Sequence, residues 1–191
     1  MADYYQRYFQ EYNQKTYYVD PTSFLEPLIS QLKSSARILD VGCGSGRDLV
    51  WLQKRNYRVT GFERSPGLAG LARKHAGCEI IQDDFETYDF RPHGFDALLM
   101  CGSLVHIAHE RLPKVMVNIL NGLKTDGIVL ISLKQGQGVY RQADGRIYYL
   151  WSDDILREIF RTVGLVVRTF SQSVSKVNAR DMWLTYVLQK K

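Results

Sequence analysis

The run ARILDVGCGSGRDLVWL, residues 36–52, constrains this chain more than any other segment. A short apolar strand (Ile38, Leu39, Val41) carries Asp40 near its end. It runs into three glycines at alternate positions, Gly42, Gly44 and Gly46, and leaves as an amphipathic helix. Glycines at this spacing let the backbone turn sharply and approach a ligand closely. The free N–H groups opening the next helix face the same spot. This is the nucleotide-binding corner of an α/β fold.

The details narrow the ligand. A dinucleotide fingerprint reads G-x-G-x-x-G, whereas this chain reads D-x-G-x-G-x-G. No lysine follows the glycines, so phosphates are not cradled as in a P-loop. A second strand, 57–62, ends before Glu63, 21 residues after Gly42 and placed to accept hydrogen bonds from ribose hydroxyls. A carboxylate before the turn repels pyrophosphate and favours an ammonium group. A nucleoside with a cationic tail and no phosphate meets these terms, and S-adenosylmethionine is such a molecule. Read singly, Asp40 is compatible with a turn residue and Glu63 with a helix cap. Their joint occurrence at successive strand ends favours binding.

Strands at 36–41, 57–62, 78–82, 95–100 and 127–133 alternate with helices at 46–55, 66–76, 110–123 and 152–163. Two extended runs, 165–175 and 182–189, follow without a helix between them, as an antiparallel pair would. Such alternation predicts a mostly parallel sheet covered by helices on both faces. Ahead of it, Tyr5, Tyr8, Phe9 and Tyr12 fall on one helical stripe, and a second helix is expected from Pro21 to Leu32 with Asp20 as its cap. Residues 13–19 between them read as a loop.

The segments LDVGCGSGRD, VTGFERSPGLAGLAR, IIQDDF, FDALLMCGSLVHI, LKTDGIVLISLKQGQG and ADGRIYYLWSDDILREIFRTVGL cover residues 36–165 almost without a gap. In this order they resemble a class I S-adenosylmethionine-dependent methyltransferase. The likeness is greatest to the small stand-alone bacterial type grouped with tellurite-resistance and thiopurine enzymes. The resemblance implies a Rossmann-like seven-stranded sheet, mostly parallel with an antiparallel C-terminal strand. One domain would span 1–191, with 1–34 as a helical lid and 36–191 as the α/β core. It implies a cofactor site of Asp40, Gly42, Gly44, Glu63, Asp84, Phe85 and Cys101. Asp84, or Asp83 if the register shifts by one, would take the adenine amino group. Phe85 would cover the ring edge or offer its backbone N–H, and the Cys101 carbonyl would hold the methionine ammonium. His106 is the candidate general base. Tyr17, Tyr18, Lys134, Arg146 and Tyr148 are expected around the acceptor, with the two cations placed to hold an anionic group.

Three cysteines without C-x-x-C spacing argue for a reduced, cytoplasmic protein with no structural metal. No membrane span or signal peptide is expected. The net charge of +5 lies wholly in residues 124–191, which hold 11 basic and 6 acidic side chains. The expected acceptor is a small molecule, with a monomer or homodimer as the assembly. The alternative is an RNA or protein methyltransferase that uses the basic C-terminal surface.

Overall fold

The computed structural model describes the backbone of residues 2–191, with side chains from Tyr4 onward. Strands β1 (Arg37–Val41), β2 (Arg58–Phe62), β3 (Ile80–Ile81), β4 (Phe95–Cys101) and β5 (Leu123–Lys134) lie parallel. After a small hairpin of β6 (Val139–Arg141) and β7 (Ile147–Tyr149) come β8 (Leu165–Val174) and β9 (Met182–Lys190). The main sheet has seven strands in the order β3-β2-β1-β4-β5-β9-β8, with β9 antiparallel to both neighbours. The expected fold class is the observed one.

Period-two alternation assigns each sheet residue to a face. Leu98 and Met100 of β4 point to one side, where they meet α6 (Leu112–Leu120) and α7 (Asp153–Thr162). Ala97 and Leu99 point to the other, where α3 (Thr22–Ile29) and α4 (Arg47–Gln53) supply Leu25, Leu28, Trp51 and Leu52. Helix α5 (Pro66–Ala76) packs beside α4 through Ala69 and Ala72. Its start is set by Pro66 in the first turn and by Ser65 Oγ, which accepts from Leu68 N–H.

The expected strand 78–82 shrinks to Ile80–Ile81, and three further differences bear on the site. Helices α1 (Ala2–Arg7) and α2 (Phe9–Thr16) break at Tyr8, and α2 runs into the expected loop. Helix α3 starts one residue late, because Asp20 Oδ1 accepts from the Thr22 N–H and Oγ–H and leaves Pro21 at the cap. Residues 139–149, to which the sequence reading assigns no element, fold back as the β6–β7 hairpin around Asp144-Gly145. Among the described residues no helix is long and apolar enough to cross a membrane.

Candidate active site

The first turn is built by the glycines. Gly42 (φ +78°) lets its own N–H and that of Cys43 both reach the Phe62 carbonyl, at 2.7 and 3.0 Å. Gly46 (φ +86°) opens α4 against Ala72, where a Cβ would sit 3.1 Å from the Ala72 Cα. The loop is thus pinned between β1 and β2. It delivers Gly44 N–H to Glu63 Oε2 at 2.9 Å, while Ser65 N–H reaches Oε1 at 2.8 Å. Burial pushes the Glu63 carboxyl up, and the N–H groups of Ser65, Gly44 and Arg64 pull it back. Beneath the loop Asp40 is 2% exposed, and its Oδ2 has no hydrogen-bond partner among the described residues. Burial, then the nearby Asp48, drives its carboxyl well above the usual range.

A cavity of about 350 Å³ opens above these strand ends. Gly42, Gly44, Glu63, Phe85 and Cys101 line it, together with Leu68, Ser103, Ile107, Ile147 and Tyr149. His106, Tyr5 and Tyr12 line it as well. Its two lining cations are paired: Arg111 with Glu86, and Arg64 with Asp84 at 2.8 Å. The Cys101 thiol, buried, is pushed up to about 12 and is inert as a nucleophile.

His106 is held from two sides. The Ile147 carbonyl lies 2.5 Å from Nδ1 and the Tyr5 hydroxyl 2.8 Å from Nε2. A carbonyl only accepts, so Nδ1 carries the proton and Nε2 accepts from Tyr5. Burial lowers the imidazole to about 4, so it is neutral at physiological pH.

Several expected site residues lie elsewhere. Tyr17 packs on His75 at 4.2 Å, and Tyr18 is 86% exposed, so neither lines the cavity. Tyr5 and Tyr12 do so instead. Asp84 sits at the edge, its Oδ1 accepting from Glu86 N–H and its Oδ2 bound to Arg64. Lys134, Arg146 and Tyr148 form a layer behind His106. The Tyr148 ring lies 4.7 Å from the imidazole at a 44° tilt, and Lys134 Nζ lies 4.0 Å from the Tyr148 ring centre. Both cations are already neutralised, Lys134 by Asp181 at 2.6 Å and Arg146 by Asp144 at 2.7 Å.

Residues 38–127 match the family described as a methyltransferase domain. Those residues carry a methyltransferase domain of the kind that uses S-adenosylmethionine. O-methyltransferase 3 of Dictyostelium discoideum is 23% identical over 188 residues, 83% of this chain and 42% of that protein. The chain spans less than two thirds of the length of the curated relatives it matches first. Two crystal structures share the methyltransferase fold. The TehB-like S-adenosylmethionine-dependent methyltransferase of Corynebacterium glutamicum is 22% identical over the full length of both chains, with a TM-score of 0.73. The 1,6-didemethyltoxoflavin-N1-methyltransferase of Burkholderia thailandensis is 21% identical, covers 99% of this chain and 84% of its own, and has a TM-score of 0.77. The residues present in the methyltransferase domain suit the cofactor: positive-φ glycines, an orphaned carboxylate oxygen beneath them, and a second acid one strand over.

Proposed function

We propose that this protein methylates a small-molecule acceptor, with S-adenosylmethionine as donor. The observation that carries the reading is one cavity lined both by the glycines and Glu63 and by a neutral histidine hydrogen-bonded to a tyrosine. Its volume of about 350 Å³ is at the small end for ligand sites, which favours a compact acceptor. Among the described residues the two arginines that line the cavity carry carboxylate partners. The Burkholderia structure was solved with bound 1,6-didemethyltoxoflavin and S-adenosylhomocysteine, which supports the same reading.

When bound, the sulfonium supplies a methyl carbon already activated for in-line displacement. The chain's own task is to position and to exclude water. Each Glu63 oxygen accepts one backbone N–H and keeps a lone pair for a ribose hydroxyl. Phe85, Leu68 and Ile107 offer apolar faces to a purine. The Cys101 carbonyl and Asp40 suit an ammonium group. Tyr5 and Tyr12 shield the cavity, and aromatic faces favour a nearby cation. His106, neutral at physiological pH, is the proton acceptor.

Calorimetry with S-adenosylmethionine and, separately, NADH tests the donor. Micromolar binding of the first alone is expected, followed by label transfer to small acceptors. Binding of NADH in its place sinks the proposal.

A further inference from the structure

Within that methyltransferase reading, we propose that Tyr5 is the group that meets the acceptor's proton, passing its own to His106, and that the acceptor is an uncharged O–H or N–H acid. The hydrogen bonds decide the order. Nδ1 is committed to the Ile147 carbonyl, and the Nε2 lone pair is filled by the Tyr5 hydroxyl. With α1 docked, Tyr5 lines the cavity beside His106, and its hydroxyl is the group through which Nε2 is reached.

The β6–β7 hairpin holds both members of the pair. Ile147, its first β7 residue, fixes the imidazole, and Arg146 beside it acts on Tyr5. Asp144 grips the Arg146 guanidinium through both oxygens, and the Gln142 N–H closes the turn on the Arg146 carbonyl at 2.8 Å. The guanidinium lies 4.1 Å from the Tyr4 ring centre. Arg146 and Asp144 are therefore positioning residues for Tyr5, not a subsite for an anion. Burial raises the Tyr5 hydroxyl, Arg146 lowers it, and Tyr4 and Glu63 add to the rise; Tyr12 and His106 complete its surroundings.

The step balances. The acceptor heteroatom bonds to the methyl carbon, and the carbon–sulfur pair returns to sulfur. The acceptor's proton moves to Tyr5 Oη as the Tyr5 proton moves to Nε2. One positive charge leaves the sulfonium and one arises on the imidazole, so the buried net charge is unchanged. The proton then passes to solvent. An imidazole as weak as His106 suits this exchange, because it does not hold a proton while the sulfonium charge is present.

The test uses phenols graded in acidity, from 4-nitrophenol, largely ionised at pH 8, to 4-methoxyphenol. In Tyr5→Phe, transfer to 4-methoxyphenol should fall about 100-fold and transfer to 4-nitrophenol less than about threefold. Asp144→Asn should show the same trend more weakly, which guards against a folding defect in the first variant. Binding of S-adenosylhomocysteine by calorimetry reports an intact cavity. Nitrogen NMR should show His106 with its proton on Nδ1 in both proteins, and an Nε2 signal that shifts in Tyr5→Phe. Equal losses on every phenol, no loss, or an unmoved Nε2 signal would overturn the proposal. So would a wild type that binds S-adenosylhomocysteine yet methylates none of the phenols. Failure to bind S-adenosylhomocysteine would instead bring down the methyltransferase reading itself.

Discussion

Glu63 holds the glycine turn and the start of α5 through the same carboxylate that we propose receives a ribose. Its two N–H bonds orient both oxygens before any ligand arrives. Glu63→Ala should therefore weaken S-adenosylmethionine binding by about 1–3 kcal/mol, since buried hydroxyls lose a charged acceptor. Unchanged affinity by calorimetry would remove it from the site. His106 makes a second prediction, on stability. Its folded value, about 4, lies below the ordinary 6.5, so its contribution is complete above pH 6.5 and is lost as pH falls through 4. Between pH 7 and 5 that loss is about 2 kcal/mol. Asp40 and Glu63, both raised, shift stability the other way, so the comparison must be with His106→Gln. Urea unfolding should show a smaller gap between wild type and variant at pH 5 than at pH 7. At this scale the sequence was readable where chemistry is local. Glycine spacing and acids at strand ends follow from the chain's own geometry. Which tyrosines face the cavity does not, because that depends on where the N-terminal segment lands.

The landing is set by contacts between α1–α2 and α5. Gln6 Oε1 accepts from Ser65 Oγ–H and Gly67 N–H, capping α5 from outside. Phe9 fills the notch at Gly67, where a Cβ would meet its ring at 2.6 Å. No local periodicity encodes such pairings, so the tyrosine stripe was legible as a helix but its partner was not. Gly67→Ala should push Phe9 out and loosen α1 and α2 while leaving the sheet intact. Limited proteolysis should then cut the N-terminal segment several-fold faster, roughly as a loss of 1 kcal/mol would allow. An unchanged cleavage rate would mean that Phe9 adjusts within its notch. The β6–β7 hairpin was a different omission. Its Asp144-Gly145 turn between VYR and IYY is a recognised hairpin signal.

Across the whole molecule one apolar cluster runs from Leu39 and Phe62 through Leu98 and Ile131 to Leu188, from β1 and β2 across to β9. A ligand gripped at the ends of β1, β2 and β4 should for that reason stabilise strands it never touches. At 100 times its dissociation constant, S-adenosylhomocysteine adds about 2.7 kcal/mol. For a chain of 191 residues this corresponds to a rise in Tm of roughly 5–11 °C. The same concentration should raise the Tm of Glu63→Ala by no more than about two thirds as much. Hydrogen exchange separates global from local stabilisation. If the sheet unfolds as one unit, the buried amides of β9 slow on ligand binding as much as those of β1. Slowing confined to β1, β2 and α5 would show that the β8–β9 edge opens independently and that the cooperative unit stops at β5.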